Sequence, residues 1–153
     1  MPGRAASLVL LVEDCPNDGY LLRKSLERFR TTLTIHQVRS LADARAALSS
    51  GQGGEPALRP ACIIVDLDLP DGDGRTLIDW LYERDPAQSV PVIVLSGAPG
   101  RVESALSRRR ASVVLEKPKT LDGYRRLSDV LGRLLLTAAG APPADENHGA
   151  DAR

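Results

Sequence analysis

Residues 63–74 read IIVDLDLPDGDG, an apolar run that ends abruptly in an acidic loop punctuated by glycines. The apolar part predicts a buried β-strand that would place the carboxylate of Asp66 at its carboxyl end. The four aspartates of this stretch repel one another unless they are solvated, protonated or bound to a cation, and carboxylates favour Mg²⁺. A strand followed by an ordinary polar turn over Pro70, Asp71 and Gly72 explains the same residues, so this segment alone leaves both interpretations open.

The composition is typical of a globular protein with a sizeable core. The chain has 153 residues, of which 42% are hydrophobic and 26% are charged. Twenty basic residues balance twenty acidic ones, so no global field favours nucleic acid or a membrane surface. The run Arg108-Arg109-Arg110 is interpreted as a solvated helix end. We therefore expect no nucleic-acid partner and no membrane association.

Signals for export and for cysteine chemistry are weak. The N-terminal apolar run at residues 8–12 is too short for a signal peptide and stops at Glu13-Asp14. Cys15 and Cys62 are too few for a disulfide framework or a zinc site, so both are expected to be reduced thiols. The expected location is cytoplasmic.

Strand-like and helix-like segments alternate along the chain. Apolar runs rich in β-branched residues predict five strands, at residues 8–12, 33–38, 61–66, 90–95 and 111–115. Apolar residues at helical spacing predict five helices: one after Pro16, one capped by Ser40, one from Arg75 to Arg84, one with Val102, Ala105 and Leu106, and one with Tyr124, Leu127 and Leu131. This (βα)₅ order predicts an α/β fold with a parallel sheet covered by helices on both faces.

A doubly wound sheet binds its ligand at the carboxyl ends of its strands, and four predicted strands end in polar residues. These are Glu13 and Asp14 after the first strand, Asp66 at the third, Ser96 at the fourth and Lys117 after the fifth. The set fits phosphoryl transfer to a carboxylate, with Asp66 as the nucleophile. Glu13 and Asp14 would hold Mg²⁺ together with Asp66, while Ser96 and Lys117 would contact phosphoryl oxygens. Each residue taken singly could end an ordinary strand, and it is their common location that favours a site.

The same residues resemble the motifs of response-regulator receiver domains, the CheY-like family. The acidic pair is matched at residues 10–14, the phosphoacceptor loop at residues 65–74, the hydroxyl position at residues 94–97, and the lysine with its cis proline at Lys117-Pro118. The resemblance covers residues 7–136 and implies a flavodoxin-like three-layer sandwich whose five-stranded parallel sheet has the order 2-1-3-4-5. Residues 13–18 and 117–121 look closest to stand-alone receivers, including those paired with bacterial phytochrome kinases.

If the resemblance holds, Asp66 accepts a phosphoryl group from a sensor histidine kinase or a phosphotransfer protein in a two-component phosphorelay. It implies Mg²⁺ held by Glu13, Asp14 and Asp66, with the backbone carbonyl of Asp68 as a further ligand. The chain would then be a phosphoprotein that catalyses only its own phosphorylation and dephosphorylation, and not an enzyme with a separate substrate. Output would pass to a downstream protein, with a possible homodimer through the fourth helix, fifth strand and fifth helix.

Several residues depart from the family pattern. Val114 occupies the position of the usual aromatic switch residue, so any switching must use another route. Lys119 replaces a common phenylalanine, and Ser96-Gly97 replaces the commoner threonine-alanine. Asp68 adds negative charge where an attacking water would approach, so we expect an altered acyl-phosphate lifetime.

Outside the core domain, residues 1–6 are expected to form an N-terminal arm and residues 137–153 a disordered tail, while residues 49–60 predict a surface loop. Two other functions stay open. The order of Asp66-Leu67-Asp68, Ser96 and Lys117 also resembles haloacid-dehalogenase-type phosphatases, although those place the Asp-x-Asp motif early in the chain. The valine at position 114 would also suit a receiver fold that serves as an interaction module without phosphorylation.

Overall fold

The computed structural model describes residues 6–29, 32–49, 54–84, 90–97 and 113–138. Within these residues one sheet contains five strands: β1 is Ser7–Val12, β2 is Leu33–Val38, β3 is Cys62–Asp66, β4 is Val92–Ser96 and β5 is Val113–Glu116. All neighbouring strands are parallel, and their order is β2-β1-β3-β4-β5. The predicted order 2-1-3-4-5 is therefore confirmed, with β2 and β5 at the edges of the sheet.

The central strands β3 and β4 are buried along their whole length. A continuous apolar run suits such strands because helices cover both faces of a parallel sheet. In the register of the sheet, Asp66 lies beside Leu95, and Ser96 lies beside Glu116. The carboxyl ends of β3, β4 and β5 consequently meet along one rim.

Four helices lie among the described residues: α1 is Pro16–Leu26, α2 is Leu41–Leu48, α3 is Arg75–Arg84 and α4 is Leu121–Ala138. Proline is suited to the first position of α1 because its missing N–H would have no partner there. The hydroxyl of Ser40 accepts a hydrogen bond from the backbone N–H of Asp43 at 3.0 Å, which confirms the predicted cap of α2. None of these helices has the length and apolar character needed to cross a membrane.

Other predictions lie outside the described residues: residues 1–5 of the N-terminal arm, the fourth helix around Val102, Ala105 and Leu106, the arginine run at residues 108–110, and residues 139–153 of the tail. The fifth predicted helix is α4, which continues to Ala138.

The core has two parts, one on each face of the sheet. On one face, alternate strand residues such as Ile63 and Val65 pack with α2 and α3. On the other face, Ile64 and its neighbours pack with α1 and α4. Leu135, in the last turns of the fifth predicted helix, is buried in this second core. The predicted three-layer arrangement of helices, sheet and helices is confirmed.

The acidic loop after Asp66 contains the predicted polar turn at Pro70 and Asp71, and the flanking residues Asp68–Leu69 and Gly72–Asp73 pair around it as a short antiparallel hairpin. The resemblance implied a cis peptide bond before Pro118, and this expectation is wrong, because the described residues contain no cis bond. The trans isomer is the lower-energy form of an X–Pro bond, by about 0.5–1 kcal/mol.

Candidate phosphoacceptor site

Three carboxylates meet at the rim where β1 and β3 end. One oxygen from each of Glu13, Asp14 and Asp66 lies within 4.8 Å of the others. Glu13 and Asp66 are only 2% and 4% exposed, whereas Asp14 is half-buried. Burying acidic groups side by side is unfavourable without a compensating positive charge. The rim therefore needs a cation, either from the protein or from solution.

The ammonium group of Lys117, which follows β5, supplies part of that charge. Its Nζ lies 2.6 Å from Oε2 of Glu13 and 2.9 Å from Oδ2 of Asp66. The backbone N–H of Lys117 also donates to the carbonyl of Ser96 at 2.8 Å, which fixes the lysine against the end of β4. Lys117 and Asp66, 51 residues apart in the chain, are thus in direct contact.

Burial and neighbouring charges shift the pKa values of the groups at the rim. Burial raises the pKa of Glu13 to about 7, and the nearby charge of Asp66 adds to this rise against the opposing effect of Lys117. Burial lowers the pKa of Lys117, but its hydrogen bonds to Glu13 and Asp66 outweigh burial, so the pKa lies above its ordinary value. One lysine therefore does not fully neutralise the carboxylates around it.

Backbone N–H groups hold the carboxylates of Asp66 and Glu13 in place. Oδ1 of Asp66 accepts a hydrogen bond from the N–H of Asp68 at 3.1 Å, and Oε1 of Glu13 accepts one from the N–H of Cys15 at 3.1 Å. Gly74 passes so close to the acceptor that a Cβ at this position would lie 2.2 Å from the carbonyl oxygen of Asp66. The start of α3 is therefore packed directly against the backbone of Asp66.

Ser96 ends β4 and is fully buried beside the same rim. Val114 lies in β5 next to Val94 and packs partly buried against the core, and Lys119 is exposed. The structure therefore brings Glu13, Asp14, Asp66, Ser96 and Lys117 to one edge of the sheet, as their sequence positions predicted. The roles assigned to these residues stay predictions.

Two other acidic residues of the loop, Asp71 and Asp73, bind groups outside the rim. The carboxylate of Asp71 accepts hydrogen bonds from the N–H groups of Leu41 and Ala42, both at 2.9 Å, at the beginning of α2. These hydrogen bonds lower the pKa of Asp71. Asp73 accepts a hydrogen bond from the N–H of Arg75 at 2.8 Å and also pairs with its guanidinium. Two of the four loop aspartates are therefore structural.

Sequence reasoning missed two residues of the site. Asp18 of α1 lies with Oδ2 3.2 Å from Nζ of Lys117, and the hydroxyl of Tyr124 in α4 donates to its Oδ1 at 3.2 Å. Burial raises the pKa of Tyr124 to about 12, and the adjacent Asp18 contributes to the rise. No sequence motif links residues 106 positions apart, although the predicted helix did contain Tyr124 as an apolar residue.

The residues at the rim fit a divalent metal ion. Carboxylate oxygens are the ligands that Mg²⁺ prefers, and three of them converge here. Burial, with a smaller contribution from the charge of Asp66, raises the pKa of Glu13, and a bound cation would counter both by favouring the carboxylate form. Glu13, Asp14 and Asp66 are the side chains that would hold it.

Comparison with known proteins gives a match over most of the chain. Residues 9–126 match the family described as the response regulator receiver domain, and this range contains every predicted site residue. The response regulator Rcp1 of Synechocystis sp. is 34% identical over 92 residues, which cover 58% of this chain. The match spans 60% of the length of that relative.

Solved structures are similar as well. The Mn²⁺-bound form of Rcp1 superposes with a TM-score of 0.75 at 25% identity, covering 86% of this chain and 96% of that one. The phosphorylated cyanobacterial phytochrome response regulator RcpA has a TM-score of 0.79 at 24% identity, covering 92% of this chain and 100% of that one. The second likeness shows the fold alone.

Proposed function

The chain belongs to the response regulator receiver domain family, and we propose that it accepts a phosphoryl group on Asp66 from a histidine kinase. The observation that carries the proposal is the meeting of three carboxylates and one ammonium group at a single rim. An ion pair with a purely structural role would need only one carboxylate beside its lysine. Here the carboxylates at the rim outnumber the lysine.

In the proposed reaction, one oxygen of the Asp66 carboxylate attacks phosphorus. The new O–P bond forms as the N–P bond of a phosphohistidine breaks, and the imidazole leaves with the electron pair. Mg²⁺ bound at this rim would offset the negative charge of the phosphoryl oxygens. Lys117, 2.9 Å from the acceptor, is placed to contact another phosphoryl oxygen, and the buried hydroxyl of Ser96 borders the same space. Hydrolysis of the acyl phosphate later returns Asp66 to its carboxylate form.

The ligand set is part of the proposal. Glu13, Asp14 and Asp66 would hold the metal through side-chain oxygens, and the carbonyl of Asp68 would add a backbone ligand. The amide of Asp68 already donates to Oδ1 of Asp66, so the chain turns back towards the acceptor at this residue. The side chain of Asp68 is exposed, and we expect its charge to alter the lifetime of the acyl phosphate.

A kinase of the bacterial phytochrome type is the proposed phosphodonor. The support is the resemblance of residues 13–18 and 117–121 to receivers paired with such kinases, together with the 34% identity to Rcp1. Transfer from a purified phytochrome kinase, compared with an unrelated histidine kinase, tests this part separately. Faster labelling by the unrelated kinase would contradict it. A cytoplasmic location belongs to the same proposal.

The proposed output surface includes the exposed side of α4. Leu121 and Val130 are 65% and 44% exposed there, and β5 lies at the adjacent edge of the sheet. A downstream protein, or a second copy of the chain, would bind this surface. Sedimentation of the phosphorylated and unphosphorylated protein distinguishes these partners, since only self-association changes the mass of the purified protein.

The decisive experiment measures the intact mass of the protein after incubation with Mg²⁺ and a small phosphodonor such as acetyl phosphate. We expect a labile phosphoryl adduct on the wild type and none on Asp66→Asn. The matched control is Asp71→Asn, which removes a charge from the same loop and should keep the adduct. An adduct that survives Asp66→Asn would contradict the proposal.

The two other functions give different results in the same experiment. A phosphorylation-independent interaction module would form no adduct with any donor. A phosphatase of the haloacid-dehalogenase type would turn over phosphomonoesters continuously. The acidic pair that precedes Asp66 in this chain favours the receiver reaction over both.

A further inference from the structure

The ammonium group of Lys117 has three N–H donors, and three carboxylates surround it. Glu13, Asp66 and Asp18 lie 2.6, 2.9 and 3.2 Å from Nζ. Glu13 and Asp66 belong to the proposed metal ligands, whereas Asp18 lies on α1 outside that group. The three partners of Lys117 are therefore not equivalent.

Metal binding should change the balance among these partners. A divalent cation between Glu13 and Asp66 repels the nearby ammonium and shares the oxygens that attract it. Asp18 is one-third exposed and lies outside the metal group, so the cation does not share its oxygens. Asp18 then becomes the strongest remaining partner of Lys117.

The carboxylate of Asp18 has a partner at each of its two oxygens. Its Oδ2 accepts a hydrogen bond from Nζ of Lys117, and its Oδ1 accepts one from the hydroxyl of Tyr124 in α4. Tyr124 is only 6% exposed and packs in the core formed by α1, α4 and the sheet. The carboxylate of Asp18 therefore has a defined position and not the freedom of an ordinary surface side chain.

We propose that Asp18 is a positioning residue that, held by Tyr124, keeps the ammonium of Lys117 beside Asp66 when a divalent metal is bound. The proposal rests on the proposed function for the identity of the reacting pair. Asp18 itself contacts neither the reacting carboxylate nor the expected metal. Lys117, placed in this way, is ready to meet an incoming phosphoryl oxygen.

The first test observes Lys117 directly. The chain has three lysines, Lys24, Lys117 and Lys119, so a ¹H–¹⁵N spectrum of lysine ammonium groups is simple. Lys24 and Lys119 are exposed, and their protons should exchange too fast for detection. The Lys117 signal should be visible in the wild type both without and with Mg²⁺.

Asp18→Asn should keep the signal without Mg²⁺ and lose it when Mg²⁺ is added. Asp129→Asn is the matched control, because it removes another carboxylate of α4, one that pairs with Arg28 in the short 3-10 helix following α1, without touching Lys117. The control should behave as the wild type. A persistent signal in Mg²⁺-loaded Asp18→Asn, or its loss from the wild type, would overturn the proposal.

The second test measures the rate of phosphorylation by acetyl phosphate at saturating Mg²⁺. We expect Asp18→Asn to be about tenfold slower than the wild type, since small misplacements of a reacting group are costly. Tyr124→Phe should be about threefold slower, and adding it to Asp18→Asn should cost nothing more, because both act through one carboxylate. Additive losses, or a wild-type rate in Asp18→Asn, would contradict the proposal.

Failure of the two proposals can be told apart. A wild-type protein that forms no adduct contradicts the proposed function alone, and the ammonium spectra still decide the role of Asp18. Normal adduct formation with an unchanged spectrum in Asp18→Asn contradicts only the positioning role. Thermal unfolding of each variant checks that the fold is intact.

Discussion

Carboxylates at the rim and in the neighbouring hairpin are chemically alike but serve different purposes. Glu13 and Asp66 are buried beside each other and share one lysine. Asp71 and Asp73 lie in the hairpin a few residues away, where backbone N–H groups and an arginine bind them. In the hairpin, nearby N–H groups or an arginine bind each of these carboxylates, whereas at the rim the buried carboxylates outnumber the one lysine. The candidate site is distinguished by buried carboxylates whose negative charge is not fully neutralised, more than by the number of acidic residues.

Among the variants that test this comparison, Lys117→Met should change the free energy of unfolding most. Removing the ammonium leaves buried Glu13 and Asp66 without their counter-ion, so the free energy of unfolding should fall by about 3 kcal/mol. Mg²⁺ should restore part of that loss, because the cation can replace the missing charge. Urea unfolding with and without Mg²⁺ measures both. Lys119→Met, an exposed lysine two positions on, is the control and should change neither.

Gly74→Ala should have the next largest effect, because Gly74 joins the two regions. The added Cβ would lie 2.2 Å from the carbonyl oxygen of Asp66, so backbone must move, at a cost of about 2 kcal/mol. Mg²⁺ affinity should fall as the acceptor shifts. Gly97→Ala follows Ser96 but would meet nothing within 4 Å, so it should be nearly neutral. Equal unfolding midpoints for the two variants would contradict the close contact.

A smaller effect concerns pH and depends on Glu13. Its raised pKa of about 7 means that a proton stabilises the metal-free fold at low pH and that this contribution is lost as the pH rises through 7. Mg²⁺ must displace that proton, so its affinity should rise about tenfold between pH 6 and pH 8. Calorimetric titration measures the change. Glu13→Gln should weaken binding and flatten the pH dependence, and an unchanged slope in this variant would contradict the assignment.

The smallest effect is expected from Asp71→Asn in the hairpin. Its pKa is lowered by the N–H groups at the start of α2, so its stabilising contribution is present above the ordinary carboxyl pKa and lost as the pH falls through the lowered value. The variant should unfold at slightly lower urea concentration near neutral pH, with unchanged Mg²⁺ affinity. A marked loss of metal binding would place Asp71 in the site and end the contrast between the two regions.

The strands of the sheet and the polar residues at its carboxyl edge could be predicted because each is recognisable within a short stretch of sequence. Strands such as residues 62–66 are continuous apolar runs, and parallel strands carry their polar ends to one edge. The resemblance of Asp66 and Lys117 to family motifs then assigned the chemistry.

The remaining features depend on contacts between distant residues. The capping of α2 by Asp71 joins residues 30 positions apart, and the contact of Asp18 with Tyr124 joins residues 106 apart. The sequence analysis had placed Asp71 in a turn and Tyr124 among the apolar residues of a helix, so neither contact was expected. The bond before Pro118 was inferred from family resemblance alone, and it is trans in the structure.

The central claim is that the buried carboxylate of Asp66, and no carboxylate of the hairpin, accepts the phosphoryl group. Reduction with borohydride tests it in the unmodified sequence, since it converts an aspartyl phosphate to homoserine, which peptide mass spectrometry locates. After incubation with Mg²⁺ and acetyl phosphate, the predicted result is homoserine at position 66 alone. Homoserine at position 71 or 73, or none at any position, would contradict the account.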